Sequence, residues 1–177
     1  MNVRRAHAED AEGIARVHVD AWRDTYRNVV PDKALADLSY DIAKRNWENS
    51  ISDSKNRTSV FVAEDRVGHI AGFAACGAVR GREHEYEGEV YAIYLDKGVR
   101  GKGLGKRLLI PVVQDLKTRG FNSMMVWVFE ENPNKRFYES LGGKVVKRSK
   151  LKVGGKRLNE LGFGWRDLNS LFALLGH

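Results

Sequence analysis

The chain is poor in the residues that build cross-links, breaks and membrane anchors. It has one cysteine and three prolines, and no apolar run approaches the roughly 20 residues of a membrane span. A single thiol excludes a disulfide framework. Cys76 closes the small-apolar run Ile70-Ala71-Gly72-Phe73-Ala74-Ala75-Cys76 and reads as a buried, inert thiol rather than a nucleophile. Few prolines beside 42% apolar residues argue against disorder. The amino-terminal ten residues are polar and carry Glu9 and Asp10 where a signal peptide needs an apolar core, so a cytoplasmic protein is expected. His7, His18, His69 and His84 are scattered without His-x-x-x-His spacing, so no metal is expected.

What is present suits one compact unit. A length of 177 residues fits a single domain with a sizeable core, taken as residues 1–177 with a core over 3–165. The net charge of +7 falls largely in two groups. Lys97, Arg100, Lys102, Lys106 and Arg107 surround a glycine-rich segment and suit a phosphorylated ligand. Lys144, Lys147, Arg148, Lys150, Lys152, Lys156 and Arg157 form the second group, a solvated strand surface or a lure for polyanions. No recognition helix, zinc finger or stacked-aromatic motif accompanies them, so nucleic acid is not the expected partner.

The hydrophobic period assigns most elements. Residues 3–6 read as a short edge strand. Asp10 is placed to cap a helix with Ile14, Val17, Val19 and Trp22 on its apolar face, ending near Tyr26. Pro31-Asp32 starts a second helical region whose Leu35, Leu38, Ile42 and Trp47 are spaced to meet a sheet. Residues 60–64 and 69–79 alternate as antiparallel strands, and 87–95 follow as a more buried one. From Leu104 to Leu116 the period is helical, with Gly120 at the end and Pro111 inside, where a kink or irregular turn is expected. Residues 123–129 form a strand, 134–141 a short helix, and 144–150 with 158–165 a final strand pair around Gly154-Gly155. The apolar tail Leu168, Leu171, Phe172, Leu174 and Leu175 suits docking of segment 166–177 on the domain or on a partner subunit, which makes a homodimer the assembly to test.

Arg100-Gly101-Lys102-Gly103-Leu104-Gly105 lies between a strand and a helix, the layout of an anion cradle. Glycines let the backbone turn and approach a ligand, and the helix start offers unpaired N–H groups and its positive dipole end. The glycine register separates the known cradles. A P-loop needs Ser or Thr after Gly-Lys and a Gly five positions before it; Arg107 and Arg100 stand there. The dinucleotide fingerprint meets Lys106 or Leu108 where its third glycine belongs. Thirty residues on comes Asn132-Pro133-Asn134-Lys135-Arg136-Phe137-Tyr138-Glu139-Ser140-Leu141-Gly142-Gly143.

Arg100-x-x-Gly103-x-Gly105 resembles the Arg/Gln-x-x-Gly-x-Gly/Ala signature of the GNAT N-acetyltransferase superfamily. The later segment resembles that family's Asn-Pro-x-x-x-Phe-Tyr-Glu-x-x-Gly-Gly/Phe, with Gly143 where Phe is more familiar. The likeness spans roughly residues 3–165 and is sharpest over 87–143. It implies an α/β (mixed α+β) fold with a central, mostly antiparallel, twisted sheet of about seven strands flanked by about four helices. It implies acetyl-CoA as co-substrate, no metal, and direct transfer of the acetyl group to a primary amine of a small molecule. In the family's pattern the pyrophosphate would sit on Arg100, Gly101, Lys102, Gly103, Leu104, Gly105 and Lys106. The pantetheine arm would pair with Ile93, Tyr94 and Leu95, Asn132 would touch that arm, and Tyr138 would be the general acid near sulfur.

Other roles are set less firmly by the residues. Glu89 is placed where the family often has a general base, and it ends a series, Glu83, Glu85, Glu87 and Glu89, that in strand geometry would face one way and attract a cation. The equal alternative is a solvent-facing strand end. Trp22, Arg23, Tyr26 and Arg27 fall at the junction of the first two helical regions, where Trp22 and Tyr26 would line an acceptor pocket or else belong to the core. Two further functions stay open: a CoA- or nucleic-acid-binding module with the fold but no chemistry, and acetylation of a protein or peptide amine.

Overall fold

The computed structural model describes residues 1–53, 55, 57–81 and 85–176. Seven strands make one sheet: β1 (Asn2–Arg5), β2 (Thr58–Glu64), β3 (Ile70–Ala78), β4 (Gly88–Leu95), β5 (Met124–Phe129), β6 (Lys144–Val153) and β7 (Lys156–Trp165). Their order across the sheet is β1-β2-β3-β4-β5-β7-β6. Among the described residues there are six α-helices, α1 (Ala11–Thr25), α2 (Asp32–Ala36), α3 (Tyr40–Ile51), α4 (Leu104–Thr118), α5 (Arg136–Ser140) and α6 (Leu168–Leu174). The mixed α/β fold and the seven-stranded sheet agree with the sequence. The helix number exceeds the expected four because the second helical region divides and the tail is helical.

The sheet is covered unequally on its two faces. On one, α4 buries Leu108, Leu109, Val112 and Leu116 against Val90, Met124, Val126 and Val128, and α6 adds Leu168, Leu171 and Leu175 to the same cluster. That apolar stripe at helical spacing is why α4 lies flat on the sheet. On the other face, Ile14 and Val17 of α1 meet Val62, Phe73 and Ala75. Cys76 is buried in the α4 cluster, and burial pushes its thiol up to about 12, which keeps it un-ionised and inert. At the far edge, β6 and β7 join through Gly154 and Gly155, whose φ of 56° and 85° suit a tight hairpin turn. The tip leans on α2: a Cβ at Gly154 would stand 2.6 Å from the Ala34 side chain.

Several local expectations give way to tertiary partners. Asp10 precedes α1, yet its carboxylate does not cap it; Arg4 Nη1 (2.7 Å) and the His7 N–H (2.7 Å) take it instead. The second helical region breaks at Ser39, whose Oγ accepts from Ile42 N–H at 3.3 Å and starts α3. Ile42 is consequently 53% exposed and does not meet the sheet, while Trp47 reaches Phe73 at 4.9 Å between ring centroids. Helix α4 runs through Pro111 without an irregular turn, so packing of its buried face outweighs one missing hydrogen bond. The glutamate series makes no common face. Only Glu89 belongs to β4; Glu85 pairs with Arg166, Glu87 accepts from Asn122 N–H, and Glu83, with His84, lies outside the described residues.

Candidate active site

The site begins with a fault in the sheet. β4 and β5 are its single parallel pair, and they pair only through Gly88↔Met124, Glu89↔Met125 and Val90↔Val126. Immediately beyond, β4 bulges: Ala75 opposes Ala92 and Cys76 opposes Val90, leaving Tyr91 as the extra residue. A bulge bends and twists its strand. β4 therefore turns away from β5, and among the described residues Ile93, Tyr94 and Leu95 have no strand partner on the β5 side. A cleft of about 450 Å³ fills this fork, bounded by these three residues and by Asn132 and Tyr138.

The glycine loop closes one end. Gly101 and Gly103 adopt φ of 74° and 79°, a left-handed turn that L side chains disfavour. Gly103 caps α4, so the N–H groups of Leu104, Gly105 and Lys106 have no carbonyl one turn earlier to bind, and the first intrahelical bond closes from Arg107 N–H to Gly103 O at 3.2 Å. Three donors and the positive helix end thus meet the cleft. Gly105 has a separate reason to be glycine: a Cβ there would stand 3.1 Å from Phe137, which packs α5 against this end of α4.

Arg100, Gly101, Gly103, Gly105 and Lys106 line the cleft, as do Ile93, Tyr94, Leu95, Asn132 and Tyr138. Lys102 does not; its Nζ donates to Gly98 O at 2.8 Å. The Leu104 side chain is 4% exposed and turned into the core, leaving only its backbone N–H for a ligand. Arg100 spans the wall, with Nε on Leu95 O (3.0 Å) and Nη1 on Asp24 (2.6 Å). Lys97 and Arg100 together hold the Asp24 carboxyl below its usual range, so this cation is already largely matched.

Tyr138 projects from α5 and stacks on Phe163 with ring centroids 5.7 Å apart. Burial, reinforced by Tyr94, pushes its phenol above the ordinary value, so it holds its proton at neutral pH. Asn132 is buried and oriented: its Oδ1 accepts from Asn134 N–H (2.8 Å), which leaves Nδ2 to donate to the Tyr26 hydroxyl (3.0 Å). Trp22 and Tyr26 do not line the cleft. They pack with Phe129 behind its wall, at 6.0 and 5.2 Å between centroids, and only their polar atoms reach forward. Arg23 is likewise structural, bound to Leu35 O and Leu38 O, and Arg27 faces a separate hollow with Asp32.

Glu89 stands at the closed end of the fork, not in the cleft lining. It is 1% exposed and held by Arg80 through backbone N–H (2.9 Å), Nε (3.2 Å) and Nη2 (2.6 Å). Its partner Arg80 also lies over the Tyr91 ring, 4.3 Å from the centroid. Sequence reasoning missed Ala21, Thr25, Pro133, Asn134, Arg136 and Phe137 in the lining. The last four lie inside the second motif and were legible there; Ala21 and Thr25 sit one helical turn apart on α1, a spacing that any helix shows. Among the described residues no group of His, Cys, Asp and Glu is arranged to hold a metal.

The geometry can be set beside known proteins. Residues 16–143 match the family model described as acetyltransferase (GNAT) family. An uncharacterized N-acetyltransferase, YuaI, of Bacillus subtilis is 40% identical over 99% of this chain and 98% of its own. Among solved structures, the PaiA N-acetyltransferase of Thermoplasma acidophilum in complex with coenzyme A superposes with a TM-score of 0.72 at 20% identity, covering 90% of this chain and 96% of that one. A GNAT superfamily phosphinothricin acetyltransferase of Sinorhizobium meliloti in complex with acetyl-CoA gives 0.68 at 24% identity, over 94% and 88%.

Proposed function

The chain belongs to the acetyltransferase (GNAT) family, and from that premise we propose that it transfers the acetyl group of acetyl-CoA to a primary amine of a small molecule, by direct attack in a ternary complex. The observation that carries this reading is the forked cleft with phosphate donors at one end and a protonated phenol inside it. The residues present fit such a carrier. Three free N–H groups on α4 suit a pyrophosphate, and the side of β4 at Ile93, Tyr94 and Leu95 that lacks a strand partner among the described residues suits an amide-bearing arm that adds on like a strand. Tyr138 is the proposed acid for the departing sulfur, and Asn132 the proposed contact for the arm. Thiol ester transfer to an amine needs no enzyme nucleophile, so holding both reactants close supplies much of the rate.

Glu89 is the proposed acceptor of the ammonium proton, acting through water. Its support is its place where β4 and β5 part, on the sheet face opposite α4; its ion pair with Arg80 is the feature any mechanism through it must accommodate. Leu104 enters the reading through its N–H, and Trp22 and Tyr26 through the polar atoms they send toward the cleft wall.

Acetyl-CoA at about a hundred times its dissociation constant should stabilise the protein by about 2.7 kcal/mol in thermal unfolding. A panel of spermidine, kanamycin and lysine methyl ester, assayed with acetyl-CoA by mass detection, then asks for an acetylated product. Stabilisation without any product would replace the enzyme by a binding module. Tyr138→Phe should lower kcat by roughly 10²-fold or more while KM for acetyl-CoA stays near wild type. Unchanged kcat removes the acid role. Glu89→Gln should alter the acidic limb of the pH–rate profile, and an unaltered limb sinks that assignment.

A further inference from the structure

At the inner end of the cleft two tyrosine hydroxyls each accept a hydrogen bond from a group that can only donate there. Asn132 can only donate to Tyr26, because its oxygen is already bound by Asn134 N–H. The Tyr26 oxygen therefore accepts, and its own proton is left for a neighbour. The Tyr94 oxygen likewise accepts from Trp22 Nε1–H, a donor only, at 2.9 Å. With its oxygen engaged by that donor, the Tyr94 O–H proton remains to be donated elsewhere. Stacking on His18, with centroids 5.3 Å apart and planes at 16°, holds the ring in place.

Tyr94 lines the cleft from the α1 face of the sheet, among Phe73 and Ala75, whereas Tyr138 enters from the α4 face, among Phe163 and Trp165. Resting on the reading above, we infer that Tyr94 is a second hydrogen-bond donor to the sulfur of the acyl carrier, set across the fork from Tyr138. As the amine nitrogen bonds to the acyl carbon and the carbon–sulfur bond breaks, Tyr138 gives its proton to the sulfur electron pair. Tyr94 keeps its proton and shares it, which lowers the cost of negative charge on sulfur. The proton released by the ammonium passes through water to Glu89 and on to solvent, from which Tyr138 is recharged, so the step balances. Trp22 acts through Tyr94 and is a positioning residue. Its hydrogen bond also draws the Tyr94 phenol down against the upward push of burial, which leaves it at about 12.

The test removes one hydrogen-bonding group at a time. Tyr94→Phe should lower kcat by about tenfold with the fastest amine of the panel while KM for acetyl-CoA stays within about twofold. An equilibrium readout is independent of turnover: the affinity ratio of CoA to desulfo-CoA at pH 8, by calorimetry, should fall about fivefold in Tyr94→Phe. Trp22→Phe, which removes the N–H behind the Tyr94 hydroxyl, should move both quantities in the same direction by less, and the double variant should match Tyr94→Phe alone. A Tyr94→Phe protein with wild-type kcat and an unchanged affinity ratio overturns the inference, as does additive loss in the double variant. Should Tyr94→Phe fold poorly, the affinity ratio in Trp22→Phe decides, and no change there overturns it. Wild-type protein that fails to bind acetyl-CoA would instead defeat the functional reading on which this rests.

Discussion

His18 shows how a residue without chemistry can still set a pH limit. Its ring lies among Trp22, Trp47, Phe73 and Tyr94, and Trp47 Nε1–H donates to Nδ1 at 3.1 Å, which assigns the remaining proton to Nε2. Burial draws its pKa down to about 4. The unfolded chain, with an ordinary value near 6.5, takes up a proton first. Above pH 6.5 both states are neutral and the group is silent. As pH falls toward 4 the unfolded state gains, and stability declines by up to about 3 kcal/mol across that window. Urea unfolding should therefore give about 2 kcal/mol less stability at pH 5 than at pH 7 from this group. A His18→Gln variant should show a flatter dependence. If it loses as much as wild type over the same interval, the loss arises elsewhere.

At the scale of the element, the loop before α4 separates local from distant information. Its glycines, its cations and its place between strand and helix are all contiguous, so the cradle could be read from the sequence. The same holds for Asn132 and Tyr138, carried by one compact motif. The hydrogen bonds that give Trp22 and Tyr26 their place were not legible, because they join residues 72 and 106 positions apart. The failures over Pro111 and the glutamates share a cause: local propensity was overruled by partners supplied from elsewhere in the chain, whereas the break at Ser39 is a local signal, a serine whose Oγ caps α3 through Ile42 N–H. The fork itself was invisible, since a bulge at Tyr91 leaves no mark in an apolar strand. Gly103 allows a direct check of the cradle. A Cβ added there meets nothing within 4 Å, so Gly103→Ala should cost only the left-handed backbone penalty, roughly 1–2 kcal/mol in thermal unfolding. The same methyl would stand on the approach to the α4 donors, so affinity for acetyl-CoA should fall further than stability does, by about tenfold or more in calorimetry. Equal affinity beside lowered stability would separate the loop from ligand binding.

For the whole molecule, the charge of +7 matters through its placement. The second basic group lies along exposed β6 and β7, where lysines on the edge strand β6 discourage pairing with other chains. Around the cleft the cations are not equivalent. Lys97 and Arg100 share the single negative charge of Asp24, at 3.1 and 2.6 Å, so the trio keeps one net positive charge. Among the described residues Lys102 and Arg107 hold only backbone carbonyls and form no ion pair. Lys106 and Arg136, both in the cleft lining, form no ion pair among the described residues. A polyphosphorylated ligand should therefore be steered by these last four. Screening shortens the reach of such steering to about 10 Å at 0.1 M salt and about 3 Å at 1 M. In stopped-flow binding of acetyl-CoA, the association rate should fall by about tenfold or more between low salt and 0.5 M, with little change in dissociation. Lys106→Gln with Arg136→Gln should flatten that dependence, whereas Lys97→Gln should flatten it far less, because it removes one positive charge beside the Asp24 carboxylate where the pair removes two in the cleft lining that form no ion pair among the described residues. If the Lys97 variant flattens the curve as much as the pair does, steering comes from net charge and not from the unpaired cations at the cleft.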